Sequence, residues 1–199
     1  MLMYPRTITQ GSTPVACDQM VNYEEHLAST HRMLFLTGEL TGEVELQNMM
    51  LALDSLSHEP IKIVITSGGG YLDTSFFLYD IFRLIKSPLY TLGRFCCSAA
   101  VPLLATGTKR YLLPHARVML HLPSGQFRGD SRDLAIQHQQ MEHYKNTMVK
   151  LLQECGVKRT AEEILEDIDR EMWLNPQEVI DYGLADAVID ADTLESWTS

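Results

Sequence analysis

The chain has 199 residues, 45% hydrophobic and 21% charged, and its 16 Lys and Arg against 26 Asp and Glu give a formal net charge of −10. At ~150 residues per domain this predicts one domain whose core needs no disulfide or metal to hold it. The acidic balance argues against a nucleic-acid or anionic-lipid partner, no apolar run reaches the length of a bilayer span, and the first residues lack a secretory leader pattern, so a cytoplasmic location is expected.

Residues 1–22, with Pro5, Gly11 and Pro14 and no periodicity, read as an irregular arm, and the arm region is carried to residue 32. A single domain is expected over residues 33–199. It begins with a buried strand at 33–37 (MLFLT) that ends at Gly38. Val44, Leu46, Met49, Met50, Leu53 and Leu56 then fall near helical spacing. The β-branched run IKIVIT (61–66) predicts a strand, followed by Ser67-Gly68-Gly69-Gly70, a helix over 72–86, and a strand at 88–92 closed by Gly93. A short helix is expected over 98–106, then two strands, 110–113 and 117–121, around Pro114. A long helix follows over about 131–155, with Asp130 as N-cap and Gly156 as C-cap, too long for a compact crossover and therefore projecting. Thr160 with Glu163 forms a capping-box pair, and Asn175, Pro176 and Glu178 open a last helix that ends at Gly183. Strands alternating with helices predict βαβ crossovers and a largely parallel sheet, an α/β fold.

Three places could carry chemistry. Ser98 stands where a strand gives way to a helix, so its hydroxyl is presented beside unpaired backbone N–H groups. The GxSxG elbow is absent, which disfavours an α/β-hydrolase. The SGGG run lets the backbone turn sharply and approach a ligand, but fits neither a Walker A loop nor GxGxxG; a plain tight turn explains it as well. His121 ends the strand RVMLH, a position suited to acid–base work or to a structural hydrogen bond. The His26/His31 and His138/His143 pairs are spaced i, i+5, so no metal site is expected. Cys17, Cys96, Cys97 and Cys155 show no CxxC spacing and are expected to be reduced. The acidic run Glu166, Asp167, Asp169 and Glu171 reads as a solvated helix face.

The order and spacing of these signals add more than any one of them. From about residue 33 to 189 the chain resembles the proteolytic subunit of the caseinolytic protease, the ClpP family. ITSGGG stands in place of the family's SPGG segment, with Gly68 at the proline. GRFCCSAA is similar to GQAASMGA with Ser98 at the nucleophile, and LPHARVMLHLP is similar to LPxSRVMIHQP with His121 at the histidine. DIDREMW resembles D-x-[DE]-R-D-x-[FW], and YGLADAVI resembles the C-terminal YGL-[IV]-D signature.

The resemblance implies a ClpP/crotonase-like α/β fold with the helix at about 131–155 as a protruding handle. It implies Ser98 as nucleophile, His121 as general base and Glu171 at the triad acid, where the family has Asp. It further implies an oxyanion hole from Gly70 and the N–H of Ala99, and a ring–ring contact through Asp169 and Arg170. The expected function is serine endopeptidase: polypeptides are cut inside a tetradecamer of two stacked seven-membered rings, homomeric or mixed with a paralogue. An AAA+ unfoldase would feed the chamber and use the ATP, so no cofactor is expected on this chain. The second reading is a catalytically weak or inactive ring subunit that co-assembles with an active paralogue, suggested by Glu171, Gly68 and an N-terminus without the family's usual helix. Related enzymes on the crotonase-like fold form a third class. They are disfavoured because Ser98, His121 and Glu171 stand together in this order and no catalytic Lys or membrane anchor is seen.

Overall fold

Four strands rich in β-branched and aliphatic residues run parallel through the centre of the molecule: Met33–Leu40 (β3), Ile61–Gly70 (β4), Leu89–Cys97 (β5) and Lys109–Leu120 (β6), in that spatial order. The structure is a computed structural model, and it describes residues 9–10, 13–14 and 23–197. Most of the expected arm over 1–22 lies outside the described residues; within it, Thr9–Gln10 (β1) pairs antiparallel with Thr13–Pro14 (β2). The rest of the stretch assigned to the arm is different. Tyr23–His31 forms a helix (α1) that ends against β3 with Ala28 buried. Its sequence, YEEHLASTH, has too few apolar positions to announce a helix, so docking on the sheet supplies what periodicity does not.

Crossovers alternate with the strands, as the pattern predicts. Val44–Leu56 (α2) buries Leu46, Met50 and Leu53, and Leu72–Leu84 (α3) buries Ser75, Leu78, Tyr79 and Phe82. After β5 the chain makes one 3₁₀ turn, Ser98–Ala100, and then Val101–Ala105 (α4), every residue of which is buried. Pro102 is tolerated there because it lies in the first turn, where a backbone N–H has no helical partner. Burial of an aliphatic side chain such as Leu103 or Leu104 is worth about 1.5–3 kcal/mol each, so this short helix is held from all sides.

Four strand boundaries differ from the sequence reading. Gly38 does not end the first strand, because β3 runs on to Leu40 with a register shift at the glycine, where Glu39 and Leu40 pair with Gly69 and Gly70 of β4. Gly93 does not close β5. The strand continues to Cys97, and Gly93 lies in a tightly packed place, since a Cβ there would sit 3.0–3.2 Å from Leu104, Leu112 and Cys96 side-chain atoms. The two strands expected around Pro114 are one strand, but its ladder with β5 jumps from Gly93↔Leu112 to Phe95↔Arg117. Residues 113–116 thus form a bulge at the proline, which has no N–H to give to a ladder. Finally, SGGG is not a turn, because Ser67–Gly70 extends β4, with Ser67 paired to Cys96 and Gly69 and Gly70 paired to Glu39 and Leu40.

Ser131–Glu154 (α5) is capped by Asp130, whose side chain accepts from the N–H groups of Arg132 and Asp133. Cys155 occupies the C-cap and Gly156 follows in the left-handed conformation at φ 93°. The buried residues of α5 are Met148, Val149, Leu151 and Leu152, all near its C-terminus, so the N-terminal part stands away from the core as the handle expectation requires. Ala161–Asp167 (α6) and Pro176–Tyr182 (α7) carry the expected capping boxes on Thr160 and Asn175, and Gly183 ends α7 at φ 93°. Between them, Met172–Leu174 (β7) adds antiparallel to the end of β6, and Ala187–Val188 (β8) pairs parallel near its start. Ala191–Glu195 (α8) leads to Trp197, which packs in a second apolar cluster with Met33, Leu92 and Ile189.

Arg110, at the start of β6, ties the C-terminal elements to the sheet. Its guanidinium donates to both Asp186 and the carbonyls of Cys155 (3.0 Å) and Gly183 (2.7 Å). Burial opposes the Asp186 charge, but the side-chain and backbone hydrogen bonds from Arg110, together with its positive charge, outweigh it and hold the carboxyl below its ordinary range. A depressed native pKa contributes stability that is complete above the unfolded-state pKa and lost as pH falls through the native one. Asp186→Asn is therefore expected to destabilise the fold at pH 7 by roughly 1–2 kcal/mol, a range reduced for the solvent screening of a partly exposed pair. In thermal unfolding series, the gap between parent and variant should close as pH falls below the carboxylate range.

Candidate active site

Ser98, His121 and Glu171 come from three adjacent strand ends. Ser98 follows β5, His121 follows β6, and Glu171 precedes β7. The β6–β7 ladder pairs Val118 with Leu174, Met119 with Trp173 and Leu120 with Met172, and its next step sets His121 opposite Glu171. Side chains alternate along a strand, so Met119 and His121 share one sheet face with Trp173 and Glu171. Val118, Leu120 and Leu174 turn the other way into the core.

The structure brings Ser98 and His121 together. Ser98 Oγ lies 2.8 Å from His121 Nε2, and both residues are half-buried. Ser98 has φ 55°, a left-handed conformation that a non-glycine residue adopts at a cost. The strain belongs to the corner itself: an extended strand stops at Cys97 and a helical turn begins one residue later. The result resembles a nucleophile elbow without its GxSxG signature, so the local sequence hid it. The corner is pinned from behind, where the Ser75 hydroxyl donates to the Ala99 carbonyl and Thr91 Oγ1 donates to the Leu104 carbonyl at 2.8 Å. Leu122 N–H donates to the Ile168 carbonyl at 3.0 Å and fixes the chain just beyond His121.

The glycine segment lies against this corner. A Cβ on Gly69, which has φ 93°, would fall 2.7 Å from the Cys97 carbonyl oxygen, 2.8 Å from Ser98 Cβ and 3.1 Å from the Ala99 nitrogen. A Cβ on Gly70, at φ 145°, would instead fall 2.5–2.6 Å from Leu40 backbone atoms. Gly69 N–H is taken by Ser67 Oγ at 3.1 Å. Gly68 has open space around its missing Cβ. The residue type at 69 is thus dictated by the Ser98 turn, a role that alignment of the glycines does not reveal.

Glu171 is placed but not engaged. Among the described residues no hydrogen bond or ion pair joins its carboxylate to His121. Instead Glu171 Oε2 accepts from the Trp173 indole Nε1–H at 3.0 Å. Trp173 was legible in the sequence only as the aromatic of DIDREMW; its spacing of two residues from Glu171 on a strand puts both on one face. The acidic run is also only partly helical, since α6 ends at Asp167 while Asp169 and Glu171 lie beyond it. Asp169 and Arg170 are well exposed and approach each other at 3.9 Å.

Cys96 and Cys97 sit directly before Ser98 and are buried, and burial is the largest cause raising both thiols above their ordinary range. They pack rather than react. Cys96, Cys97 and Cys155 are free thiols, and Cys17 lies outside the described residues. Among the described residues no cluster of three or more His, Cys, Asp or Glu side chains could hold a metal, and no helix is long and apolar enough to cross a membrane.

A strained serine at a strand–helix corner, in contact with a histidine from the neighbouring parallel strand, has the geometry of a serine hydrolase. Comparison with known proteins defines it further. A family model described as Clp protease matches residues 18–192. The chain is 33% identical over 169 residues to the chloroplastic ATP-dependent Clp protease proteolytic subunit 4 of Arabidopsis thaliana, spanning 82% of this chain and 58% of that relative's length. It is 30% identical over 186 residues to the ATP-dependent Clp protease proteolytic subunit of Paracoccus denitrificans, 91% of each chain. A solved point mutant of ClpP1 from Listeria monocytogenes superposes with a TM-score of 0.76 at 26% identity, covering 86% of this chain and 98% of that one. The chain belongs to the Clp protease family, and its fold is the ClpP α/β fold.

Proposed function

We propose that the protein is a serine endopeptidase of the ClpP type. The observation that carries this reading is the 2.8 Å contact between Ser98 Oγ and His121 Nε2 at a strained corner. With His121 protonated at Nδ1, the Ser98 hydroxyl donates to Nε2, which accepts the proton as the oxygen attacks a peptide carbonyl. The Ala99 N–H, at the start of the helical turn, and the Gly70 N–H are the donors for the oxyanion. Gly69 is committed to Ser67, which supports assigning the second donor to its neighbour. His121 then gives its proton to the leaving amine, and water releases the acyl group from Ser98. Glu171, across the ladder from His121, is the group that would orient the imidazole and stabilise its cation.

Substrates on this reading are unfolded polypeptides. They would enter a chamber of two stacked seven-membered rings, homomeric or mixed, from an AAA+ unfoldase that hydrolyses the ATP, so this chain needs no cofactor of its own. The handle α5 and the exposed Asp169 and Arg170 are the surfaces assigned to ring–ring contact. The cytoplasm is the compartment that suits the reduced thiols. One observation favours the second reading, a weak or inactive subunit in mixed rings: the Glu171 carboxylate rests on Trp173 rather than on His121.

The test is labelling of the purified protein with a fluorophosphonate, read by intact mass. A single adduct on the parent and none on Ser98→Ala is the expected result. No adduct on an assembled oligomer would move the assignment to the inactive-subunit reading.

A further inference from the structure

We infer that Trp173 is a positioning residue that holds Glu171 in reserve, so that exchange of the carboxylate between the Trp173 indole N–H and the His121 ring sets the fraction of catalytically complete sites. The inference rests on the serine-hydrolase reading of Ser98 and His121 and concerns what regulates that site.

The donor in this contact is fixed. The Trp173 ring lies 6.3 Å from the Phe95 ring, centroid to centroid, and the Arg117 guanidinium sits 5.3 Å over its face. Phe95 and Arg117 are themselves ladder partners on β5 and β6, so the indole rests against rigid sheet on its β6 side. The acceptor is not held by packing. Glu171 is exposed, stands just before β7, and has two methylenes with which to swing its carboxylate. From one backbone position it can lie along the strand toward Trp173, two residues on, or across the ladder toward His121. An aspartate, one methylene shorter, has less freedom to choose. The glutamate that departs from the family pattern and the indole that captures it thus form one device.

A hydrogen bond to a charged group is worth about 1.5–3 kcal/mol, so loss of the indole donor shifts the balance between the two positions toward His121 by about ten- to hundredfold. Removing only the indole donor should release that bias. In Trp173→Phe, which keeps an aromatic ring against Phe95 and Arg117, the fluorophosphonate labelling rate at Ser98 is expected to rise about tenfold or more. The gain should disappear in Trp173→Phe/Glu171→Gln, because it depends on a carboxylate free to reach His121. A merely structural role for Trp173 predicts instead that Trp173→Phe labels no faster than the parent and that the two substitutions act additively. Parent labelling that is lost in Ser98→Ala, with Trp173→Phe no faster, overturns the inference and leaves the hydrolase reading standing. Absence of a Ser98 adduct in both the parent and Trp173→Phe, each correctly assembled, overturns both. A parent that fails to label while Trp173→Phe labels at Ser98 would support the inference and assign the parent to the weak or inactive reading.

Discussion

Replacing His121 with alanine is expected to cut kcat/KM for hydrolysis of a fluorogenic peptide by roughly 10⁴-fold or more, with KM nearly unchanged. The reason is the division of labour at the corner. The strained turn presents the Ser98 oxygen, and His121 Nε2, at 2.8 Å, is the group placed to take its proton. A neutral serine hydroxyl is a poor nucleophile without that base. Substrate binding does not depend on the imidazole, so the loss belongs to kcat. His121 lies beyond the last residue of β6, and the ladder to β7 is made by Val118, Met119 and Leu120. The variant should therefore keep its fold and assembly, which size-exclusion chromatography and far-UV circular dichroism would verify. A loss smaller than tenfold would mean that His121 is not the base.

Gly69→Ala should also be damaging, less so and by a different route. The added methyl meets the Cys97 carbonyl at 2.7 Å and Ser98 Cβ at 2.8 Å, backbone and near-backbone atoms that cannot rotate away. The φ of 93° adds the cost of a left-handed alanine. Either Gly69 or the Ser98 turn must move, and a shift of about 1 Å in a reacting group costs on the order of 10²-fold in rate. Labelling at Ser98 is expected to fall by about that factor, and urea unfolding should report a loss of about 2–3 kcal/mol. Gly68→Ala is the contrasting variant. Its Cβ meets open space, so labelling should stay within about threefold of the parent. If Gly69→Ala labelled like Gly68→Ala, the close approach of the glycine strand to the nucleophile would be refuted.

Both predictions concern a corner whose strain no local pattern announces. CCSAA contains no glycine on either side of the serine, yet Ser98 adopts φ 55°. The conformation is imposed by α4, buried throughout, and by β5, which is paired on both edges; the single residue between them must absorb the change of direction. The same holds for SGGG. Its glycines look like a turn, but their conformations serve close approach to Leu40 on one side and to Cys97 and Ser98 on the other.

The sequence by itself determined the alternation of strands and crossovers and the capped starts of α5, α6 and α7, and its ordered motifs singled out Ser98, His121 and Glu171, of which the structure joins Ser98 to His121. These follow from periodicity, from cap chemistry and from ordered motifs, all of which act over a few neighbouring residues. Tertiary structure alone decided the helix at Tyr23–His31, whose weak amphipathic pattern is completed by docking on β3, and the continuity of β5 and β6 past Gly93 and Pro114. It also decided that Glu171 meets Trp173 before it meets His121. That choice depends on where Phe95 and Arg117, brought from two other strands, hold the indole ring. Spacing along one chain carries no information about such a contact.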